Sequence, residues 1–236
     1  MTKQVKSKER VAEHGEVFTA EREVKAMCDL VAQECDRVDS RFLEPACGNG
    51  NFLAEVLSRK LNTVERLYKK NTYDYERYSI LALTSIYGVD IMQDNVEECR
   101  ERMYGIWNDA YTANCKKECS NEARAAAKYI LEKNILCGNA LTLMCVDEKQ
   151  QDNTTPITFP EWSLVKGNML KRRDFRLDVL LKENKDDANY DGQLSLFSND
   201  AMGYENWMID PVTKELIPRP TREYPPINYR KVQNNG

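Results

Sequence analysis

The chain has 236 residues, 42% hydrophobic and 31% charged, with a formal net charge of −4. That length and balance fit one globular core with an appendage, and exclude a chain that grips nucleic acid through overall charge. No apolar run approaches the roughly 20 residues of a membrane span, so no membrane role is expected.

Residues 1–16, "MTKQVKSKERVAEHGE", are charged and lack an apolar core. They read as a flexible lead-in, not a secretory signal. Thr19 is a plausible N-cap, and Val24, Met27, Cys28, Val31 and Cys35 recur at helical spacing, which predicts one amphipathic helix over 19–38. "RFLEPA" reads as a short strand, "GNGNFLAEVLSRKL" as a loop feeding a helix, and 73–86 as a second helix. "YGVDI" (87–91) is the next strand; "QDNVEECRERMYGIW" and "NEARAAAKYILEK" (121–133) are two further helices, before the strand "NILCG". Strands alternating with helices predict an α/β fold: a doubly wound, mostly parallel sheet with helices on both faces. Ligands of such sheets bind outside the carboxyl ends of the strands.

After residue 146 the texture changes. "DEKQQDNTTP" reads as a polar loop, "EWSLVKGNML" as a fourth strand and "KRRDFRL" as a basic stretch. Beyond about 182 the chain is acidic, then Pro-rich and basic, which predicts a tail and not a domain. The expected division is therefore a lead-in (1–16), a domain (17–180) and a tail (181–236). The eight cysteines form no disulfide framework; Cys115 and Cys119 are the one close pair, and His14 is the single histidine. No metal site is expected from that set, and reduced thiols in a cytoplasmic protein are the simplest reading.

The chemistry concentrates in "EPACGNGNFL" (44–53). Gly48 and Gly50 follow a strand, but Leu53 stands where a dinucleotide loop carries its third glycine, and no lysine follows as in a phosphate loop. Glu44 repels a pyrophosphate and suits a cationic amino-acid ligand. The stretch resembles the S-adenosylmethionine loop of N6-adenine DNA methyltransferases of restriction-modification systems. Three more segments resemble that family in its order: 14–31, which precedes the loop; 86–103, whose Asp90 matches the acidic residue for the ribose hydroxyls; and 134–143, near the cofactor's adenine, where Asn139 stands for a frequent aspartate. The resemblance implies a class I S-adenosylmethionine-dependent methyltransferase fold, Rossmann-like, with S-adenosyl-L-methionine as cofactor. Its expected contacts are Phe18, Thr19, Glu44, Pro45, Ala46, Gly48, Gly50, Asn51, Phe52, Asp90, Ile91, Asn139 and Ala140. Each has a plainer role: Asp90 as a helix cap, Phe18 and Phe52 as core, the glycines as a turn.

That family's acceptor motif is Asp or Asn, two prolines and an aromatic ring that stacks on the flipped base. Here Gly167 and Asn168 are followed by Met169, Leu170 and Lys171. Asn168 is the one catalytic candidate, in a degenerate motif; "EYPPINY" (223–229) has two prolines with no Asn or Asp before them. Lys171, Arg172 and Arg173, with Lys166 and Arg176, are candidates for DNA phosphates or a solvated basic loop. "QLSLF" resembles the pentapeptide by which bacterial proteins dock on the replication sliding clamp. Gln193, Leu194, Leu196 and Phe197 would carry that contact, or fold back onto the core. The expectation is a DNA adenine-N6 methyltransferase subunit that takes target recognition, and the acceptor pocket if need be, from a second methyltransferase or specificity subunit. The alternatives are a methyltransferase-fold protein that binds cofactor or DNA without turnover, and a methyltransferase for a non-DNA substrate.

Overall fold

The computed structural model describes residues 6–14, 17, 19–181, 207–209, 214 and 216–235. Phe18 and the clamp-like residues Gln193, Leu194, Leu196 and Phe197 lie outside the described residues. The lead-in carries a helix, α1 (Lys8–His14). The 19–38 helix is two, α2 (Glu21–Leu30) and α3 (Ala32–Asp36), broken at Val31. The N-cap of α2 is Ala20, with no side-chain cap, so Thr19 is not the capping residue.

Strand β1 (Phe42–Glu44) leads through a glycine turn into α4 (Asn51–Tyr68). Leu53, Val56, Leu57, Leu61 and Val64 repeat at the helical period, and all are buried. Next come α5 (Thr72–Thr84), β2 (Ile86–Asp90) and α6 (Gln93–Cys115). A 3₁₀ turn (Lys116–Glu118), α7 (Asn121–Asn134) and β3 (Ile135–Asn139) follow. Asn71 and Ser120 cap α5 and α7, each side chain accepting two backbone N–H bonds. The pairings β1–β2 and β2–β3 are parallel.

Alternation along β2 sorts its side chains between two cores. Ile86 faces the large cluster built by α2 to α7, where Trp107 stacks on Tyr111 at 4.8 Å. Tyr87 and Val89 face the other side and meet Ile157, Phe159 and Leu177. Both faces are thus covered, as parallel strands require. Helices α4 to α7 share one face, however, and the second is covered mainly by strand residues. Lys60 is fully buried on α4, its Nζ donating to the carbonyls of Arg37, Val38 and Ser40 at 2.7, 3.2 and 2.6 Å.

The chain beyond β3 departs most from expectation. The polar loop holds β4 (Met144–Val146) and β5 (Asp152–Pro156), which extend the sheet antiparallel to order β1-β2-β3-β4-β5. The fold is α/β with a mixed sheet, with β1 at one edge and β5 at the other. The expected fourth parallel strand is a hairpin of β6 (Thr158–Leu164) and β7 (Met169–Arg176), ending in the one-turn helix α8 (Leu177–Leu180). A parallel return needs a crossover of a dozen or more residues, whereas the 165–168 turn reverses the chain at once with Gly167 at φ 60°. A small hairpin, β8 (Trp207–Ile209) and β9 (Leu216–Pro218), precedes β10 (Arg222–Asn228).

Much of the expected tail is structure. β10 pairs antiparallel with β7, with an irregularity between Tyr224 and Ile227 where Pro225 and Pro226 sit, as suits prolines on an edge strand. The 3₁₀ helix Tyr229–Asn234 then buries Tyr229 and Val232 in the main core. There Glu76, 1% exposed, accepts from the Tyr229 hydroxyl and Arg230 Nε at 2.6 Å each, and from the Tyr111 hydroxyl.

Candidate functional site

The turn between β1 and α4 bends inward under three constraints. Cys47 N–H donates to Val89 O at 2.9 Å, tying the turn to β2. Gly48 (φ 51°) and Gly50 (φ 84°) take left-handed conformations that side chains resist. A Cβ on Gly50 would stand 2.7 Å from Cys99 Sγ, so the turn lies flat on α6. Gly48 N–H donates to Asp90 Oδ2 at 2.9 Å.

Asp90 ends β2 and does more than cap. Its Oδ1 accepts from Met92 N–H at 2.9 Å and from Asn95 Nδ2 at 3.1 Å. A carboxylate offers about four acceptor positions, so three are spent on holding the turn and the start of α6, and about one remains. The capping and binding roles are compatible.

These elements enclose a cavity of about 420 Å³ at the carboxyl ends of β1, β2 and β3, within the range of small-molecule sites. From β1 and its turn, Glu44, Pro45, Ala46, Cys47, Gly48 and Asn49 line it. Asn51 and Phe52 follow from α4; Asp90, Ile91, Met92 and Asn95 come from β2 and α6. Gly138, Asn139, Ala140 and Leu141 close the third side, and Val17, Thr19 and Met27 form the remaining wall. Apart from Gly50, which sits beneath the wall, and Phe18, every expected cofactor contact lines this one space. Cys47, Asn49, Met92, Asn95 and Leu141 are lining residues the sequence reading did not name; Asn49 and Cys47 sit inside the motif, and Asn95 five residues past Asp90.

Charge in the cavity is one-sided. Burial pushes the Glu44 carboxyl above its ordinary value, opposed by a backbone bond from Ala46, and among the described residues no cation pairs with it. Asn51 holds the wall: its Nδ2 donates to Thr19 O at 3.2 Å, and Arg102 donates to its Oδ1. Outside, Lys6 pairs with Asp94 and Glu98, and Arg10 with Asp94, on α6. Asn139 is less available, because its Oδ1 accepts from Leu141 N–H and its Nδ2 donates to Asp152. Phe52 is shared with the core, its ring 6.4 Å from Phe42.

The acceptor and DNA candidates fall elsewhere. Asn168 is in the β6–β7 turn, its carbonyl accepting from Tyr229 N–H, and it does not line the cavity. A hairpin turn cannot present it as the end of a parallel strand would. Lys171, Arg172 and Arg173 lie on β7 and not on a loop, and each makes an ion pair within the fold. Lys171 pairs with Glu223 at 3.1 Å. Arg172, 7% exposed, makes a two-pronged bond to Asp174 at 2.7 Å and stands over the Tyr224 ring. Arg173 binds Glu161, which also holds Arg41. Arg172, committed to the buried Asp174, is not free to take a phosphate.

Among the described residues no group of three or more His, Cys, Asp or Glu side chains is placed to hold a metal, and no helix is long and apolar enough to cross a membrane. No family model, curated protein or solved structure matches the chain.

Proposed function

We propose that the cavity binds S-adenosyl-L-methionine and that the chain is a DNA adenine-N6 methyltransferase subunit, working in the cytoplasm with a partner polypeptide. One observation carries the reading. The glycine turn, Glu44, Asp90 and the 139–140 segment come from three separate strand ends and share one cavity. The donor set fits the group: Glu44 offers an uncompensated carboxylate to an ammonium, Asp90 keeps an acceptor for a sugar hydroxyl, and Ile91, Ala140 and Leu141 offer apolar surface to a purine. When bound, the sulfonium compound supplies an electrophilic methyl group. The chain's own part is to bind, orient and desolvate it. The three parallel strands with α4 to α7 on one face support the reading, since one half of a doubly wound sheet would have this form.

The half that would receive the base is missing from the cavity, so the partner, a second methyltransferase or specificity subunit, supplies the acceptor pocket and target recognition. Docking on a sliding clamp through 193–197 belongs to the same proposal. Asn168 standing outside the cavity favours a second reading, cofactor binding without turnover.

Calorimetry with S-adenosylmethionine tests the binding claim. Glu44→Gln is expected to weaken it about tenfold, the worth of one charge-assisted bond, while leaving 5′-methylthioadenosine, which lacks the amino-acid arm, unaffected. No heat at about 1 mM ligand, a limit near −4 kcal/mol, removes both readings. Labelled methyl transfer to unmethylated DNA, with and without the products of neighbouring genes, separates them: turnover only with a partner supports the first, and none in any combination the second.

A further inference from the structure

Lys171, Arg172 and Arg173 are paired within the fold, and a group of unpaired lysines lies elsewhere among the described residues. Lys69 and Lys70 follow α4, Lys116 and Lys117 form the 3₁₀ turn after α6, and Lys166 lies in the β6–β7 turn. All five are exposed, and none makes an ion pair among the described residues.

Hydrogen bonds and ring contacts join these three segments into one surface. Arg77 Nη1 donates to Gly167 O at 3.3 Å, tying the Lys166 turn to α5. The Arg77 guanidinium stands 4.7 Å over the Tyr78 ring, and Tyr78 stacks on Tyr68 at 4.0 Å with the planes 5° apart. Tyr68 immediately precedes Lys69. On the other flank Thr72 bonds Glu118, and Cys115 Sγ donates to Thr72 O at 3.5 Å, bringing Lys116 and Lys117 beside the start of α5. Tyr73, at that start, is 48% exposed. The carboxylates here are partly spent: Asp74 on Asn71 and Arg77, Glu118 on Thr72. Glu65 is exposed. Cations outnumber carboxylates on this surface, although the whole chain carries −4.

We infer that this surface binds single-stranded nucleic acid, its lysines contacting phosphates and Tyr73 stacking on a base. Lysines alone would suit any polyanion; an exposed aromatic among them is what a strand with unpaired bases recognises. The site lies at the far end of α4 from the cavity, about 27 Å along a helix of 18 residues. It therefore anchors a strand and does not present the reacting base. The inference does not rest on methyl transfer, and its test uses no cofactor.

Fluorescence anisotropy with a labelled mixed-sequence single-stranded 20-mer, as DNA and as RNA, reads the binding in the full chain. The expected result is affinity that falls with salt, with a log–log slope near −0.7 per phosphate neutralised. Lys69→Glu with Lys70→Glu and Lys166→Glu lowers affinity at least tenfold and flattens that slope. Tyr73→Ala lowers it roughly tenfold for single strands and leaves a duplex of the same sequence unchanged. Lys171→Gln, which touches a lysine already paired, changes nothing. The side chains of Lys69, Lys70 and Lys166 make no hydrogen bond or ion pair among the described residues, so circular dichroism melting of the variants is expected to match the wild type. Wild-type protein that fails to bind at about 50 mM salt, a triple variant that binds as tightly as wild type, or equal binding to anionic phospholipid vesicles overturns the inference. A preference between DNA and RNA assigns the strand type within it.

Discussion

Asp90→Asn is the most informative single change, because it keeps shape and removes charge at the residue that joins turn, strand and helix. If the new amide oxygen takes the Oδ1 position, it keeps the bonds from Met92 N–H and Asn95 Nδ2, but its NH₂ then faces Gly48 N–H, which donates at 2.9 Å in the wild type. The flipped amide keeps Gly48 and opposes the other two donors, so the first orientation is the better. The variant loses one charge-assisted bond, leaves a donor facing a donor, costing about 1.5–3 kcal/mol, and removes a negative charge near the start of α6, costing about 0.3–1 kcal/mol. The expected loss is about 2–4 kcal/mol, a large part of the stability of a typical domain. Urea unfolding followed by circular dichroism measures it, with Asp94→Asn beside it. Asp94 pairs with Lys6 and Arg10 while 48% exposed, so its change should fall below about 1 kcal/mol. A loss at Asp90 no greater than at Asp94 would refute the reasoning that this carboxylate holds the site together.

Gly50→Ala is expected to cost about 2–4 kcal/mol, from a left-handed φ of 84° and a Cβ 2.7 Å from Cys99 Sγ. Gly105→Ala, in α6 with nothing within 4 Å, should gain about 0.5–1 kcal/mol; a urea midpoint that does not fall for the first, or does not rise for the second, would contradict that prediction. Burial pushes the Lys60 ammonium down to about 8 from 10.5. Between those values the unfolded chain holds the proton and the folded chain does not, so stability rises with pH across that window by about 3 kcal/mol. Lys60→Met should lack the rise, which the difference between the two urea series from pH 7.5 to 10.5 isolates from the tyrosines and thiols common to both; parallel curves would count against it.

Residues 42–139 were legible because two simple signals agree there. Apolar residues at helical spacing mark α4, α6 and α7, and glycine spacing after a short strand marks the turn. The site followed, since Glu44, Asp90 and Asn139 each end a strand of a parallel set. Past residue 140 the signals mislead for identifiable reasons. β5 exposes four of its five residues, so it has no apolar alternation to detect. β7 hides a strand in "KRRDFR", because Arg172 and Asp174 are buried as a pair and only the fold tells a paired charge from a solvated one. Pro225 and Pro226 read as tail but occupy an edge strand with an irregularity, the one sheet position that tolerates them. The covering of the second sheet face by β6 was not legible at all, since it depends on a hairpin turn where a crossover was expected.

The Glu76 carboxylate is expected to impose an order of assembly. Its partners Tyr229 and Arg230 are 153 and 154 residues away, so on the ribosome they emerge long after α4 to α7 have had time to gather. Until they arrive, a nascent chain carries a carboxylate in its apolar interior with Tyr111 as its one hydroxyl donor, a costly state for a buried charge. The Tyr229–Asn234 helix is then expected to seal the interior late, and a chain cut short before it to unfold more readily than the full chain.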